Sequence, residues 1–288
     1  MYWLIIVVVF AAILAASYTD IRTREVADWV NYAFIASALG IRSVMSIVQQ
    51  DWHPIVYGLL GFGAMYLLAL LMFNTGQWGG GDSKLLMGIG AAIGIEFAWP
   101  SLLLYFIFAL AIMGALYGML WSIFLMIKNW NKFKTDFTKL MNTKSYTLAR
   151  KITLAIMMLL FITMLFVNDY IINIGIFTFI ILLFLSYLLI TAAKAIETSC
   201  MHKSVSPEKL TEGDWIVKDI KINGKYICGP KDLGIEKSQI KKLIQLKKQK
   251  KISKVLIKEG IPFVPSFLLA FIVLIFLEKI LSFLGLAF

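Results

Sequence analysis

Asp20 and Asp82 are the residues of this chain best placed to do chemistry. Asp20 follows the apolar run 1–18 after a single threonine, and Asp82 closes Gly79-Gly80-Gly81-Asp82 between two further apolar runs. A carboxylate at the edge of a hydrocarbon phase is expensive to keep and marks a functional site by default. Two carboxylates brought close together cannot both ionise, so they hold one proton in common and titrate as a unit. The ionised partner can take a proton from water. The protonated one can donate to a scissile carbonyl and then to the leaving amine. That is aspartic proteolysis, and it needs no metal.

The residues around the two aspartates fit this reading. Gly79, Gly80 and Gly81 remove side-chain bulk, so a substrate strand could lie close to the backbone beside Asp82. The alternative is a plain loop whose aspartate caps the helix that begins near Lys84. Glu25 and Asp28 could receive a cationic peptide or simply be solvated at the interface. Lys84 could bias the carboxylate pair or reach to lipid headgroups. Trp29 and Trp78 read as interfacial anchors.

Other chemistries are hard to assemble. His53 and His202 are the only histidines, and they fall on opposite sides of the membrane in the topology below. A Ser-His-Asp triad or a histidine-rich metal site therefore has no obvious members. Cys200 and His202 could begin a metal site, but no further cluster completes it. No metal or other cofactor is expected. No Walker sequence is present, and Gly88-Ile89-Gly90 reads as close helix packing.

The elements that must position the aspartates are membrane helices. The chain is 60% hydrophobic with a mean hydropathy of +0.81, and a bilayer span takes about 20 apolar residues. Eight runs qualify, over 2–18, 29–48, 55–74, 84–98, 101–127, 152–168, 171–193 and 262–286. The first lacks the basic residues of a secretory signal and reads as a retained helix. Of the 28 lysines and arginines, 26 fall in 19–28, 75–84, 128–151 and 194–261, leaving Arg42 and Lys279. Cytoplasmic loops collect such residues, which fixes an N-out, C-out topology with Asp20 and Asp82 both on the cytoplasmic side. The net charge of +11 then reports membrane orientation and attraction to anionic lipid, not nucleic acid. Cys200 and Cys228 fall in an inner loop and are expected as free thiols.

The expected architecture is an all-α polytopic membrane protein of about eight helices, with a small cytoplasmic α+β insert before the last. Residues 1–193 form the membrane core, with a basic, aromatic loop at 128–151 that lies on lipid. Residues 194–260 form the insert and 261–288 the last helix. Within the insert, Trp215–Ile222 reads as a strand, Asn223-Gly224 as a hairpin turn and Lys225–Cys228 as the return strand. Residues 236–258 read as a basic amphipathic helix, with Ile240, Leu243, Ile244, Ile252, Val255 and Leu256 as its apolar contacts. Pro262 and Pro265 suit the first turns of the last helix.

These residues together resemble a family. Asp20-Ile21-Arg22-Thr23-Arg24-Glu25-Val26 with Asp28-Trp29, two intervening helices, and then Gly79-Gly80-Gly81-Asp82-Ser83-Lys84 follow the pattern of the type IV prepilin peptidases and the archaeal preflagellin (prearchaellin) peptidases. Gly260-Ile261-Pro262-Phe263 is similar to the family's lead into its last helix, and Leu210-Thr211-Glu212-Gly213-Asp214 resembles a segment of the archaeal C-terminal region. The core of the likeness covers about 1–120. The resemblance implies a multi-pass plasma-membrane aspartic endopeptidase with Asp20 and Asp82 as its catalytic pair. It would cut short basic leaders, of the class III type, from pilin or archaellin precursors at the cytoplasmic face. Residues 21–28 leave no space for the cysteine-rich, zinc-binding insert of larger bacterial members, and no methyl-donor site is recognisable. Both departures point to the archaeal branch and to peptidase activity alone.

Three alternatives stay open. A presenilin-like intramembrane protease also uses Gly-x-Gly-Asp, but on consecutive helices and with Pro-Ala-Leu where this chain has Val264-Pro265-Ser266. An ion-coupled transporter would place carboxylates near midplane on broken, repeated helices. A non-enzymatic component of pilus or archaellum assembly would make both aspartates dispensable.

Overall fold

The computed structural model describes residues 2–95, 101–222, 224–232 and 234–276. The chain forms two compact units, one from residues 1–120 with 260–288 and one from 121–259. The second unit thus takes in residues 121–193 along with the insert expected at 194–260.

The first unit is helical. Its elements are α1 (Tyr2–Thr23), α2 (Asp28–Gln49), α3 (His53–Asn74), α4 (Gly80–Ile93), the first part of α5 (Leu102–Lys128) and α10 (Val264–Ile275). The first apolar run continues as helix past residue 18, so Asp20 lies inside the last turn of α1. Pro54 sits in the first turn of α3, where its missing N–H costs nothing. Phe34, Leu85, Leu86, Ile89, Phe106 and Phe267 form the centre of one buried core.

At its centre is α4, whose small residues let neighbours approach at backbone distance. A Cβ added at Gly61 would stand 2.2 Å from the Gly90 carbonyl oxygen, and one at Gly88 would stand 2.5 Å from the Phe34 ring. The sequence expectation that Gly88 and Gly90 serve close helix packing therefore holds. With 14 residues, α4 rises about 21 Å, less than the roughly 30 Å of a hydrocarbon core. Its last carbonyls lie inside the protein and need donors. Arg42 of α2 supplies them: Nε and Nη2 donate to the Ala92 oxygen at 3.1 and 2.8 Å, Nη2 to Ile93 at 2.5 Å, and Nη1 to Pro54 at 2.9 Å.

The second unit holds the rest of α5, then α6 (Trp130–Met141), α7 (Lys144–Phe166) and α8 (Tyr170–Ile196). The basic stretch expected as a loop at 128–151 is helical, because its aromatics share a face. Phe133 is buried with Ala195 and Ile196 of α8, leaving the lysines outward. After one π-helical turn come β1 (His202–Val205), β2 (Trp215–Ile216), β3 (Ile220–Ile222), β4 (Lys225–Cys228), α9 (Lys237–Lys248) and β5 (Val255–Lys258). An antiparallel sheet runs β1-β5-β2, and β3-β4 is a separate hairpin. The single strand expected over 215–222 is thus divided between two sheets. Of its turn, Asn223 lies outside the described residues, and Gly224 takes φ +75°. The helix expected over 236–258 stops at Lys248, and Val255–Lys258 instead pairs with both β1 and β2. The β-branched Val255 and Ile257 are buried on one face of that strand.

Among the described residues, six helices are long and apolar enough to cross a membrane: Trp3–Thr23, Asp28–Gln49, His53–Asn74, Leu102–Lys128, Lys144–Phe166 and Tyr170–Met201. The chain is a mostly helical, multi-pass membrane protein. The other two runs of the expected eight appear as the shorter α4 and α10. The last helix begins at Val264 with Pro265 in its first turn, two residues later than the sequence suggests, and residues 277–288 lie outside the description.

Candidate active site

α1 stops where Arg24 turns left-handed, at φ +62°, and its N–H returns to the Asp20 carbonyl at 2.9 Å. This single bond from a left-handed residue ends many helices, though glycine is its usual occupant. The turn leaves Asp20 on the inner face, 4% exposed. Its Oδ2 accepts the Val264 N–H at 2.9 Å. Asp20 thereby satisfies an amide that the start of α10 would otherwise leave unpaired. Arg24 and Tyr117 both lie within electrostatic reach of Asp20.

Asp82 is the third residue of α4, since the helix begins at Gly80 and not near Lys84. Its half-buried carboxylate lies near the Gly79 N–H and close enough to Asp20 for their charges to interact. The two sequence-predicted carboxylates, at the ends of α1 and α4, thus lie within electrostatic reach of each other.

The three glycines differ in what surrounds them. Gly79 and Gly80 are exposed, and an added Cβ there would have nothing nearer than 4.0 Å. At Gly81 an added Cβ would stand 3.1 Å from the Val26 Cβ and 3.3 Å from its nitrogen. The protein itself fills that space, and only the first two glycines leave room beside Asp82.

Lys84 Nζ lies 2.6 Å from Asp28 Oδ1 and 5.2 Å from the centre of the Tyr32 ring. It ties α4, just past its first turn, to the first turn of α2. Asp28 keeps a 64% exposed side chain, and Glu25 is exposed as well. Trp29 is exposed, whereas Trp78 packs against Phe263 and Phe267. Trp78 is therefore a wall of the interior next to α10.

Two features lie outside the sequence expectations. Asn31, fully buried on α2, donates from Nδ2 to the Gly81 carbonyl at 3.2 Å and so pins the glycine turn. Its sequence signal was a single amide in the buried stripe Val30, Asn31, Phe34, Ala38. The Val264 amide had no signal at all, because a backbone group 244 residues away carries none. Among the described residues, no three His, Cys, Asp or Glu side chains gather as metal ligands.

The model of the type IV leader peptidase family matches residues 7–119, a stretch that contains both aspartates. The chain is similar to the preflagellin peptidase of Methanocaldococcus jannaschii, at 35% identity over 81 residues. It is similar to that of Methanococcus voltae, at 33% over 88, and of Methanococcus maripaludis, at 35% over 83. These alignments take in 28%, 31% and 28% of this chain, and 34%, 37% and 35% of the relatives. The chain thus covers only about a third of each relative's length. No solved structure matches the chain. Residues 7–119 are thus similar to the type IV leader peptidase family, and the three relatives that the chain resembles over this part of its length are preflagellin peptidases.

Proposed function

We propose that this protein is a membrane aspartic endopeptidase that removes short basic leaders from preflagellin- or prepilin-like precursors at the cytoplasmic face. One observation supports the reading: within the family-matched stretch, two carboxylates at the ends of α1 and α4 lie within electrostatic reach of each other, next to two exposed glycines. The precursor's hydrophobic helix lies in the bilayer, which puts its leader junction at headgroup level, where both carboxylates would lie in an N-out, C-out chain of eight spans.

The reaction follows from the pair. Asp20 and Asp82 share one proton. The ionised carboxylate draws a proton from water, and the hydroxide equivalent attacks the scissile carbonyl. The protonated carboxyl donates to the carbonyl oxygen, and the amine leaves with a proton as the carbon–nitrogen bond breaks. Gly79 and Gly80 admit the extended backbone of the substrate. The exposed carboxylates of Glu25 and Asp28 receive the cationic leader, with Lys84 held on Asp28 until it binds.

The test is cleavage of a tagged preflagellin or prepilin in native membranes or detergent by wild type, Asp20→Asn and Asp82→Asn. Wild-type cleavage that falls by about 10³-fold or more in each variant is expected. Unimpaired cleavage by either variant would overturn the pair mechanism, and failure of the wild type on several leaders would overturn the substrate assignment.

A further inference from the structure

The family match ends at residue 119, yet one bond to Asp20 comes from far beyond it. The Val264 N–H donates to Asp20 Oδ2 at 2.9 Å in a buried setting, and the neighbouring Phe263 amide lies close to the same carboxylate. We propose that the backbone N–H of Val264, at the head of the last helix, positions the Asp20 carboxylate for catalysis. The last helix would then be a working part of the active site and not only a membrane anchor. The proposal rests on reading Asp20 and Asp82 as the catalytic pair.

Three observations support it. First, the donor is fixed. Val264 is fully buried, and Pro265 after it stiffens the first turn. Second, the residue before it is locked. The Phe263 ring packs on Trp78 at 5.7 Å and edge-on against Phe267 at 5.9 Å. Gly114 of α5 leaves room for that ring, since a Cβ there would stand 2.8 Å from Phe263 Cζ. Third, the bond selects one carboxylate oxygen. A donor on Oδ2 fixes the Asp20 rotamer and leaves Oδ1 for water or for Asp82. Such pre-set geometry is what a proton-transfer pair requires, and displacement by an ångström can cost about 100-fold in rate. The other charged or titratable groups around Asp20 are Asp82 of α4, Arg24 just beyond α1 and Tyr117 of α5.

Val264 is the first residue of α10, where a missing N–H breaks no helical bond. Val264→Pro replaces the N–H with a ring carbon, and because Phe263 before it takes a helical φ −93°, ψ −22° that a following proline disfavours, the fold of this variant is checked first. Val264→Ala also loses the buried isopropyl group but keeps the N–H, so it serves as the reference. In full-length protein the expected result is a kcat for Val264→Pro about 10- to 100-fold below that of Val264→Ala, with KM within about threefold. A second readout is independent of turnover. With 13C-carboxyl-labelled aspartate in micelles, the signal assigned by its loss in Asp20→Asn should titrate differently in Val264→Pro and Val264→Ala. Equal kcat and coincident titrations in the two variants would overturn the proposal. If wild type cleaves no leader, the functional reading fails while the titration still decides whether the N–H governs Asp20. If Val264→Pro does not fold, Gly114→Ala takes its place, since it pushes on the Phe263 ring. An unshifted Asp20 signal in that variant would count against the proposal, and a shifted one would support it.

Discussion

At Gly81 an added methyl would stand 3.1 Å from the Val26 Cβ and 3.3 Å from its nitrogen, whereas at Gly80 the nearest atom would be the Phe73 ring, 4.0 Å away. Contacts of the first kind force a backbone shift or an off-rotamer side chain, at a cost of about 1–3 kcal/mol. Val26 is buried where the chain passes from α1 to α2, so the strain would fall between the segments carrying Asp20 and Asp82. Gly81→Ala should therefore unfold more easily than Gly80→Ala by about 1–3 kcal/mol in denaturant titrations of the detergent-solubilised protein. It should also lose more leader cleavage. Equal stability of the two variants would show that the close approach to Val26 is not a constraint. The glycine run was legible in sequence as a site lacking side-chain bulk. Which glycine faces open space and which faces Val26 was not, because that depends on a loop some 55 residues earlier.

α4 is the element on which this fold depends most, being short, rich in glycine and tied at both ends. Asn31 holds its first carbonyl neighbourhood through Gly81, and Arg42 holds its last carbonyls at Ala92 and Ile93. A buried guanidinium carries its donors in a planar fork that can bridge several carbonyls, which a lysine ammonium cannot copy. Arg42→Met would leave the Ala92, Ile93 and Pro54 oxygens without these donors, and each such buried group costs about 1–3 kcal/mol. The expected loss is about 3 kcal/mol or more, with Arg42→Lys falling between it and wild type, read from unfolding in detergent. Wild-type stability of Arg42→Met would remove this account of how so short a helix ends inside the protein. The sequence registers Arg42 only as a cation left over from the loop count. Helices α1, α2, α3, α5, α7 and α8 were legible because long apolar runs leave few alternatives. The α9 boundary was not, since Val255–Lys258 fits a helical pattern as readily as a strand until β1 and β2 are there to pair with it.

In the whole chain, the candidate site draws on residues near 20, 80, 115 and 264, while 121–259 form a compact unit of their own. The aspartates and their order were legible because motif spacing survives folding unchanged. The contribution of the last helix was not, because it is made by a backbone amide. The second unit has its own core of Leu210, Ile216, Ile227, Cys228, Ile235, Leu243, Val255 and Ile257, which makes its stability separately measurable. Cys228 lies fully buried there. Burial, and then the Asp232 charge, push its thiol up from 9.0 to about 11. The thiolate is the charged form, so the unfolded chain loses this proton first as the pH rises. The stabilising contribution is complete below about pH 9 and is lost as the pH climbs through 11. Lysines titrate in the same window, so the quantity to compare is the difference between wild type and Cys228→Ala. That difference should stay constant to about pH 9 and then shift against wild type up to about pH 11. Reactivity gives an independent check, because the attacking species is the thiolate. At pH 8 a maleimide should label the half-exposed Cys200 in folded protein and reach Cys228 only as the second unit opens. Equal labelling of both cysteines under native conditions, or a pH-independent difference from Cys228→Ala, would show that this core is not closed around Cys228.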